Sequence, residues 1–344
     1  MPNRLNFTDY SLVSAVIPTS GRPEMALCAV NSALRQTWKR LEVVVVVDGP
    51  DEATVRALRA VGHPRLRVVV LDEQRGGAAA RNEGVRAASG EWIAFLDDDD
   101  TWLPKKIECQ MRAIEETAAW FPVITCRLIA QSPGGSRVLP SRVYDSREPV
   151  GDYLFRRSGL ADPGGLMQSS TLLASRELLL AVPFCDELPM HQDWDWVIRV
   201  AGYEGVEVTM LAKPLTVWRV EDERATVGRG TNWQVSLAWI RQMRRLVSRR
   251  AFSSFVAIQC VWRARASHAG WRERLNLLWV FLSEGRPEWR SLVHFGVFSL
   301  VPRSIYAAMR GLARSSADST ETAAGLSLAW TRDAAPSALR RTSG

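Results

Sequence analysis

A short apolar run that ends in four consecutive aspartates, at residues 93–100, most constrains the fold of this chain. Ile93 to Leu96 are too few for a helix, and an apolar stretch without alternation is typical of a strand buried on both faces. Such strands lie in the middle of an α/β sheet. Adjacent carboxylates repel one another unless water, a helix N-terminus or a cation compensates their charge. The run therefore predicts a central strand that delivers acidic groups to its carboxyl end.

The spacing of the aspartates suits a divalent metal ion. In an extended segment alternate side chains share a face, so we expect Asp97 and Asp99 to converge on one ion while Asp98 points elsewhere. Mn²⁺ and Mg²⁺ prefer oxygen ligands, often one or two carboxylates together with substrate phosphates. A solvated acidic turn that caps the helix beginning at Leu103-Pro104 is the alternative interpretation.

Apolar runs ending at Ile17, at Val47 and at Leu71 repeat the same plan, because a turn and a segment with helical spacing follow each of them. Strands that alternate with helices predict a parallel, doubly wound α/β sheet, whose ligands bind at the carboxyl ends of the strands. The polar or flexible residues at these ends are Thr19, Asp48, Gly76 and Asp97.

These positions suit a nucleotide. Asp48 can accept hydrogen bonds from a base or a ribose. The glycine loop at Gly76 lets the backbone approach a diphosphate at a helix N-terminus, and Arg81 can pair with phosphate or hold an acid in place. An ordinary loop and an ordinary surface arginine are the alternatives. The sequence has no GxGxxG after its first strand and no GxxxxGK[ST] motif, which argues against dinucleotide oxidoreductases and P-loop enzymes.

Four motifs follow one another within residues 11–105: Val-Ile-Pro-Thr, Val-Val-Asp-Gly, Gly-Ala-Ala-Ala-Arg-Asn-Glu-Gly, and Gly-Glu-Trp-Ile-Ala-Phe-Leu with the four aspartates. The ordered set resembles the family 2 glycosyltransferases, which have the GT-A fold. This resemblance implies an α/β fold with a Rossmann-like mixed sheet flanked by helices, here followed by a C-terminal helical region. The resemblance implies a nucleotide-sugar donor, usually UDP-linked, a Mn²⁺ or Mg²⁺ ion on the DxD aspartates, and inversion at the anomeric carbon. Ser20-Gly21 departs from the aromatic-Asn pair that is common in the family.

Carried over residue by residue, the resemblance places the donor and its metal in the loops after the strands. Pro18, Thr19 and Asp48 would hold the nucleoside, and Asp98 is an alternative ligand because the run of four aspartates blurs the register. The donor-binding set is Pro18, Thr19, Arg22, Asp48, Gly76, Arg81, Asp97 and Asp98, and the metal set is Asp97 and Asp99.

A second motif, at residues 190–201, resembles the family's Glu-Asp-x-x-(Leu/Trp)-x-x-Arg helix start, with Gln192 where Glu is usual. By that match Asp193 is the catalytic base that takes the proton of the acceptor hydroxyl. A helix cap is the alternative role for Asp193. We expect Asp195 to be an outward helix residue or an orienting group. Trp194 and Trp196 would stack on sugar faces or pack in the core, and the core is favoured for Trp196.

Charge divides the chain into an acidic and a basic part. Residues 1–230 carry 27 basic and 31 acidic side chains, whereas residues 231–316 carry 14 basic and 3 acidic ones.

The scattered cysteines, without metal-ligand spacing, indicate reduced core residues of a cytoplasmic protein. The sequence contains neither a secretory leader pattern nor an apolar stretch of the roughly 18 residues that a membrane-spanning helix needs.

We therefore expect a GT-A catalytic domain at 1–230, a basic amphipathic helical region at 231–316 and a disordered tail at 317–344. Residues 221–230 lack periodicity, and the resemblance to the family implies that this loop is a lid that closes over the donor. The apolar spacing in this region predicts helices at residues 233–250, 252–265, 271–284 and 290–310. Six of the 14 tryptophans lie in the helical region. Trp and Arg that flank short apolar helices suit an arrangement on an anionic membrane surface. A helical bundle packed on the catalytic domain or on a dimer partner is the alternative. A nucleic-acid partner is disfavoured, since the basic region lacks a binding motif.

Together these features predict an inverting, metal-dependent glycosyltransferase that uses a nucleotide-sugar donor and a glycan or lipid-linked acceptor in surface-glycan assembly. Its expected location is the inner face of the plasma membrane, as a peripheral protein. A nucleotidyltransferase on a similar sheet and a non-catalytic sugar-nucleotide-binding or scaffold protein are the alternatives.

Overall fold

The computed structural model describes residues 11–157, 159, 162, 164–220 and 232–300. The described residues up to Ser299 form one compact unit. The predicted lid, the predicted tail and residues 301–316 lie outside the described residues. The strands are β1 (Val13–Thr19), β2 (Leu41–Val47), β3 (Leu66–Val70), β4 (Trp92–Phe95), β5 (Asp100–Trp102), β6 (Phe121–Ser132), β7 (Gly135–Leu139), β8 (Leu173–Ser175) and β9 (Val206–Arg219).

Helices separate the strands and form the carboxyl-terminal part of the unit. They are α1 (Pro23–Leu34), α2 (Glu52–Ala60), α3 (Gly77–Ala87), α4 (Lys106–Glu116), α5 (Val150–Phe155), α6 (Arg176–Ala181), α7 (Gln192–Ala201), α8 (Trp233–Gln242), α9 (Arg249–Phe255), α10 (Val261–Ala266), α11 (Trp271–Ser283) and α12 (Trp289–Leu300). Short 3-10 turns lie at Ser169–Thr171 and Met243–Arg245.

The described strands form a single mixed sheet in the order β3-β2-β1-β4-β8-β6-β9-β5, and β7 pairs with β6 as a hairpin. Strands β3, β2, β1 and β4 are parallel, as the sequence predicts. The direction changes at β8, which is antiparallel to both β4 and β6. The parallel arrangement predicted for the first hundred residues is therefore confirmed, and the whole sheet is mixed, as expected for the GT-A fold. Strands β6 and β9 run in the same direction as β1 to β4, whereas β8, β5 and β7 run in the opposite direction.

Burial explains why the valine-rich and apolar runs are strands. The valines of β2 and the residues of β4 are fully covered, since α1 packs on one face of the sheet and α3 on the other. Helix α3 lies close to β1 because its inner side is small: a Cβ on Gly84 would lie 2.3 Å from Cγ1 of Val16. The motif rich in Gly and Ala thus brings the amino end of α3 to the edge where the strands end.

The carboxyl-terminal helices differ in detail from their predicted bounds. A single helix was expected from Trp233 to Arg250, but α8 ends at Gln242 and a new helix begins after Ser248. The Ser248 hydroxyl caps this new helix, since it accepts a 3.1 Å hydrogen bond from the Ala251 amide. From Arg249 to Ala266 the chain is one continuous helix with a π turn at Val256–Cys260. Among the described helices, none has the length and apolarity needed to cross a membrane.

Candidate active site

The four aspartates form a turn and not an extended segment. The backbone amide of Asp100 donates a 3.0 Å hydrogen bond to the carbonyl of Asp97, and β5 begins at Asp100. The expectation of an extended segment is therefore wrong, although Asp97 and Asp99 lie together and Asp98 lies apart, as expected. Because the turn folds the segment back, Asp97 and Asp100 reach the same side.

Asp98 points away from the other aspartates, toward the loop after β1. Its Oδ2 accepts a 2.7 Å hydrogen bond from the Thr19 hydroxyl, and its Oδ1 lies 3.1 Å from Nη1 of Arg22. The same guanidinium lies 3.6 Å from Oδ2 of Asp99. Burial raises the pKa of Asp98 to about 6, although Thr19 and Arg22 oppose the shift. Thr19, Arg22 and Asp98 of the predicted donor set therefore form one connected group, beside the half-buried Pro18 of β1.

Asp97, Asp99 and Asp100 offer carboxylate oxygens that all lie within 4.8 Å of one another. Asp100 is fully buried. One of its oxygens accepts a 3.1 Å hydrogen bond from Nε2 of Gln168, and the other has no hydrogen-bond partner among the described residues. Burial, and then the charges of Asp97 and Asp99, raise the pKa of Asp100 well above its usual range. A divalent cation fits these residues, because it would bind the orphaned oxygen and neutralise the repulsion. The sequence identified Asp97 and Asp99 but not Asp100.

Arg81 connects the acidic turn to the second motif. Its Nη2 lies 2.5 Å from Oδ1 of Asp97, and its Nη1 donates a 3.0 Å hydrogen bond to Oε1 of Gln192. Gln192 is itself fixed, since its amide donates a 2.7 Å hydrogen bond to the carbonyl of Leu188. Arg81 is buried, unlike the surface arginine of the alternative interpretation. The predicted donor-site arginine thus stands between the two motifs.

Asp48 holds the glycine loop. Its two carboxylate oxygens accept hydrogen bonds of 2.7 and 2.8 Å from the backbone amides of Arg75 and Gly76. Gly76 precedes α3 with φ +91°, a conformation that favours glycine, so the loop turns directly into the helix. Ser20 donates a 3.3 Å hydrogen bond to the carbonyl of Asp48, which joins this loop to the one after β1.

Asp193 lies at the second position of α7, and the residue at the cap position is His191. The helix-cap alternative for Asp193 is therefore not what the structure shows. Burial raises the pKa of Asp193 to about 6; the charge of Arg81 lowers it, and that of Asp97 raises it. A partly buried carboxyl with such a pKa can take up a proton near neutral pH.

Two serines that the sequence analysis did not single out hold Asp97. The hydroxyl of Ser169 donates a 2.9 Å hydrogen bond to Oδ2 of Asp97, and the Asp97 amide donates a 3.0 Å hydrogen bond to Oγ of Ser170. Ser169 also accepts from Arg81 at 3.2 Å. The two serines thus position the acidic turn.

Asp195 is buried, so the expectation of an outward helix residue is wrong, and the orienting role is the one that matches its contacts. Its two oxygens accept hydrogen bonds from Arg199 Nε at 2.7 Å and from Trp239 Nε1 of α8 at 3.1 Å. A sequence signal for this link was absent, because Trp239 is 44 residues away along the chain.

Aromatic rings surround the start of α7. Trp196 is in the core as favoured, stacked on Phe184. Trp194 stacks on His191 and contacts the edge of Phe155. Burial lowers the pKa of His191 to about 3, so its ring is neutral, and its Nε2 lies 3.0 Å from the hydroxyl of Ser236 in α8.

Part of this chain matches a known protein family, and the chain is similar to several named proteins. Residues 14–156 match the family described as Glycosyl transferase family 2. The amylovoran biosynthesis glycosyltransferase AmsB of Erwinia amylovora is 26% identical over 71% of this chain and 81% of its own length. The succinoglycan biosynthesis protein ExoO of Rhizobium meliloti is 37% identical over 32% of each chain. The WfgD protein of Escherichia coli, named a UDP-Glc:alpha-D-GlcNAc-diphosphoundecaprenol beta-1,3-glucosyltransferase, is 33% identical over 30% of this chain and 40% of its own.

Solved structures show the same fold at low identity. TarS of S. aureus in complex with UDP-GlcNAc superposes with a TM-score of 0.54 at 16% identity, over 80% of this chain and 82% of TarS 1–349. The mannosyltransferase PcManGT of Pyrobaculum calidifontis, in complex with GDP-Man and Mn²⁺, gives a TM-score of 0.52 at 16% identity, over 90% of this chain and 86% of its own. The fold is GT-A, with a carboxyl-terminal helical region. Residues 14–156 therefore form a glycosyl transferase family 2 domain, and the relatives that this chain resembles include named glycosyltransferases.

Proposed function

We propose that this enzyme transfers a sugar from a UDP-linked donor to a hydroxyl of a lipid-linked glycan, with inversion at the anomeric carbon and with the help of a divalent metal. The observation that carries the proposal is the arrangement of Arg81, which joins Asp97 of the acidic turn to the start of the helix that carries Asp193. A base and a diphosphate-binding group are thereby close together at the carboxyl edge of the sheet.

Each residue of the candidate site has a separate role in the proposed reaction. Asp193 takes the proton from the acceptor hydroxyl, the acceptor oxygen forms a bond to the anomeric carbon, and the bond from that carbon to the diphosphate oxygen breaks with its electron pair. Arg81 and Arg22 supply positive charge beside the departing diphosphate. Asp97, Asp99 and Asp100 would hold the divalent cation, which supplies further positive charge to the leaving group.

The finer parts of the proposal rest on the relatives. WfgD has UDP-Glc and a diphosphoundecaprenol acceptor in its name, and TarS was solved with UDP-GlcNAc, which supports a UDP-sugar here. AmsB and ExoO are named for the biosynthesis of amylovoran and of succinoglycan, which supports a role in polysaccharide biosynthesis here. A lipid-linked acceptor implies work at the inner face of the plasma membrane.

A binding and product panel tests the proposal. UDP-, GDP- and dTDP-sugars are titrated by calorimetry with and without Mn²⁺, and transfer to a polyprenyl-diphosphate sugar is followed by mass spectrometry. We expect metal-dependent binding of one UDP-sugar and release of UDP on transfer. Asp193→Asn should bind this donor as tightly as the wild type, while transfer falls by about 10²–10⁴-fold. Release of UMP with nucleotidyl transfer would instead establish a nucleotidyltransferase, and binding without turnover a scaffold protein.

A further inference from the structure

Helices α11 and α12 turn apolar side chains to solvent as well as to the core. On α11 the inward residues Leu277, Val280 and Phe281 are buried. A second set, on the opposite side, is exposed although it is equally apolar. We call this set, with its counterpart at the start of α12, the tryptophan–leucine face; its residues and exposed fractions are Trp271 67%, Leu275 54%, Trp279 62%, Leu282 51%, Trp289 68% and Leu292 48%.

Helical geometry places the α11 members side by side. Trp271, Leu275, Trp279 and Leu282 follow each other at intervals of four, four and three residues. These intervals bring all four onto a stripe about 80° wide. A water-exposed stripe of this composition is costly, and in monomeric proteins large exposed apolar surfaces mark interaction sites.

Basic side chains border the tryptophans. The guanidinium of Arg272 lies over the ring of Trp271 at 5.4 Å, and that of Arg290 lies over the ring of Trp289 at 5.2 Å. Within the described residues neither arginine has an acidic partner in an ion pair. The face therefore joins amphipathic aromatic rings with free positive charge.

Two of the three acidic side chains of this region are in ion pairs with arginines. Residues 232–300 contain eleven arginines and three glutamates. Glu284 pairs with Arg241 and Arg244, and Glu288 pairs with Arg156 and Arg250. The remaining one, Glu273, accepts a hydrogen bond from the Gly270 amide at the start of α11. The field around the exposed tryptophans is consequently positive.

We propose that the tryptophan–leucine face inserts into the headgroup boundary of an anionic lipid bilayer, with Arg272 and Arg290 on lipid phosphates. Charge complementarity selects this occupant, since a bilayer offers apolar depth for Trp and Leu and negative charge at the level of the guanidinium groups. Trp prefers this boundary because its ring is apolar and its N–H remains hydrated. Helix α11 is about 20 Å long, so it lies in the plane of the membrane and does not cross it.

Docking would also place the catalytic site near its acceptor. The helical region is bonded to the start of α7 through Trp239 and Asp195. The surface that enters the lipid and the helix that carries the proposed base therefore belong to one packed unit. The proposal goes beyond the donor and the chemistry, and it holds for any sugar that the enzyme transfers.

Vesicle co-sedimentation of the full chain, in the absence of donor, tests the proposal. The vesicles contain phosphatidylcholine alone or a mixture with phosphatidylglycerol. We expect binding to the mixture that weakens with added salt. The double variant Trp271→Ser/Trp279→Ser should lose at least about tenfold in partition coefficient, and Arg272→Gln/Arg290→Gln about fivefold per arginine, on anionic vesicles only.

Trp120→Ser is the matched control, because Trp120 is 59% exposed and lies before β6, outside the helical region. It should bind vesicles as the wild type does. Equal loss in this control, or no binding of the wild type to anionic vesicles, would overturn the proposal. So would a wild-type dimer that fails to bind vesicles and becomes monomeric in Trp271→Ser/Trp279→Ser, since the occupant would then be a second copy. Donor binding is measured separately without lipid, so a failure here leaves the proposed transfer reaction intact.

Discussion

The indole Nε1 of Trp239 donates a 3.1 Å hydrogen bond to Oδ1 of Asp195, which is two residues beyond the proposed base Asp193. Asp195 is 3% exposed, and its other oxygen accepts from Arg199. Since a buried carboxylate needs all its donors, this bond fixes α7 against α8. The basic helical region therefore helps to hold α7, the helix that carries the proposed base.

Replacing Trp239→Phe removes this donor while keeping an aromatic ring in the cluster. We expect the free energy of unfolding to fall by about 1.5–3 kcal/mol, the usual value for a hydrogen bond to a charged group. If the bond also positions the helix of Asp193, kcat should fall while the donor Kd stays the same. Trp262→Phe is the control, as Trp262 is 44% exposed. A variant that is less stable but has an unchanged kcat would show that the bond only supports the fold.

Asp193→Asn should stabilise the protein at neutral pH. The folded-state pKa of Asp193 is raised from 3.8 to about 6. The contribution of Asp193 to the free energy of unfolding is therefore most favourable below pH 4. It falls as the pH rises to about 6 and keeps its lower value above pH 6. The neutral amide of the variant avoids the free-energy cost of burying an ionised carboxyl. We therefore expect the free energy of unfolding to rise by about 1–3 kcal/mol at pH 7.5. Chemical denaturation at pH 5.0 and 7.5 measures it, and the gain must be smaller at the lower pH. A gain that does not depend on pH would contradict the burial of a charged carboxyl.

Asp100→Asn should weaken metal binding although the sequence pattern does not include Asp100 among the ligands. Its orphaned oxygen belongs to the cluster with Asp97 and Asp99. We expect the affinity for Mn²⁺, titrated calorimetrically with UDP present, to fall on the order of 10–100-fold or more. Asp98→Asn is the matched control, because Asp98 faces Thr19 and Arg22. This variant should lose less affinity for Mn²⁺ than Asp100→Asn does. Equal losses in the two variants would remove Asp100 from the metal site.

The first hundred residues could be predicted well because their signals are local. Each buried strand is a continuous apolar run, and each turn carries glycine, proline or an acid at the strand end. The order of strands beyond β4 could not be predicted in the same way. Strands β8 and β5 have three residues each, and their positions depend on pairing with distant partners in β6 and β9.

In the candidate site, too, residues in local motifs could be predicted and residues that depend on distant contacts could not. Thr19, Asp48 and Arg81 could be found because each belongs to a motif with a fixed place in the fold. Asp100 and Ser169 could not, since their roles arise from a tight turn and from a contact across 72 residues of sequence. Sequence spacing predicts side-chain direction only while the backbone stays regular, and at Asp97–Asp100 it does not.

Gly84→Ala should destabilise the fold despite the better helix propensity of alanine. The new Cβ would lie 2.3 Å from Cγ1 of Val16, so α3 or β1 must shift. Overpacking of this kind costs about 1–3 kcal/mol. Gly296→Ala in α12 is the control, because no heavy atom lies within 4 Å of its added Cβ, and it should be neutral or stabilising. Thermal unfolding of both variants measures the difference, and equal melting temperatures would contradict the close packing of α3 on β1.

The pH dependence of transfer should report the titration of Asp193. Only the ionised carboxylate accepts a proton, and burial raises its pKa to about 6. We therefore expect kcat/KM to fall about tenfold for each unit of pH below 6 and to level off above pH 7. Gln192→Glu sharpens the test: the new carboxylate would pair with Arg81 and add negative charge near Asp193. Both effects disfavour the ionised base, so the midpoint should move up by about one unit. A midpoint that stays in place in this variant would mean that a group other than Asp193 controls the profile.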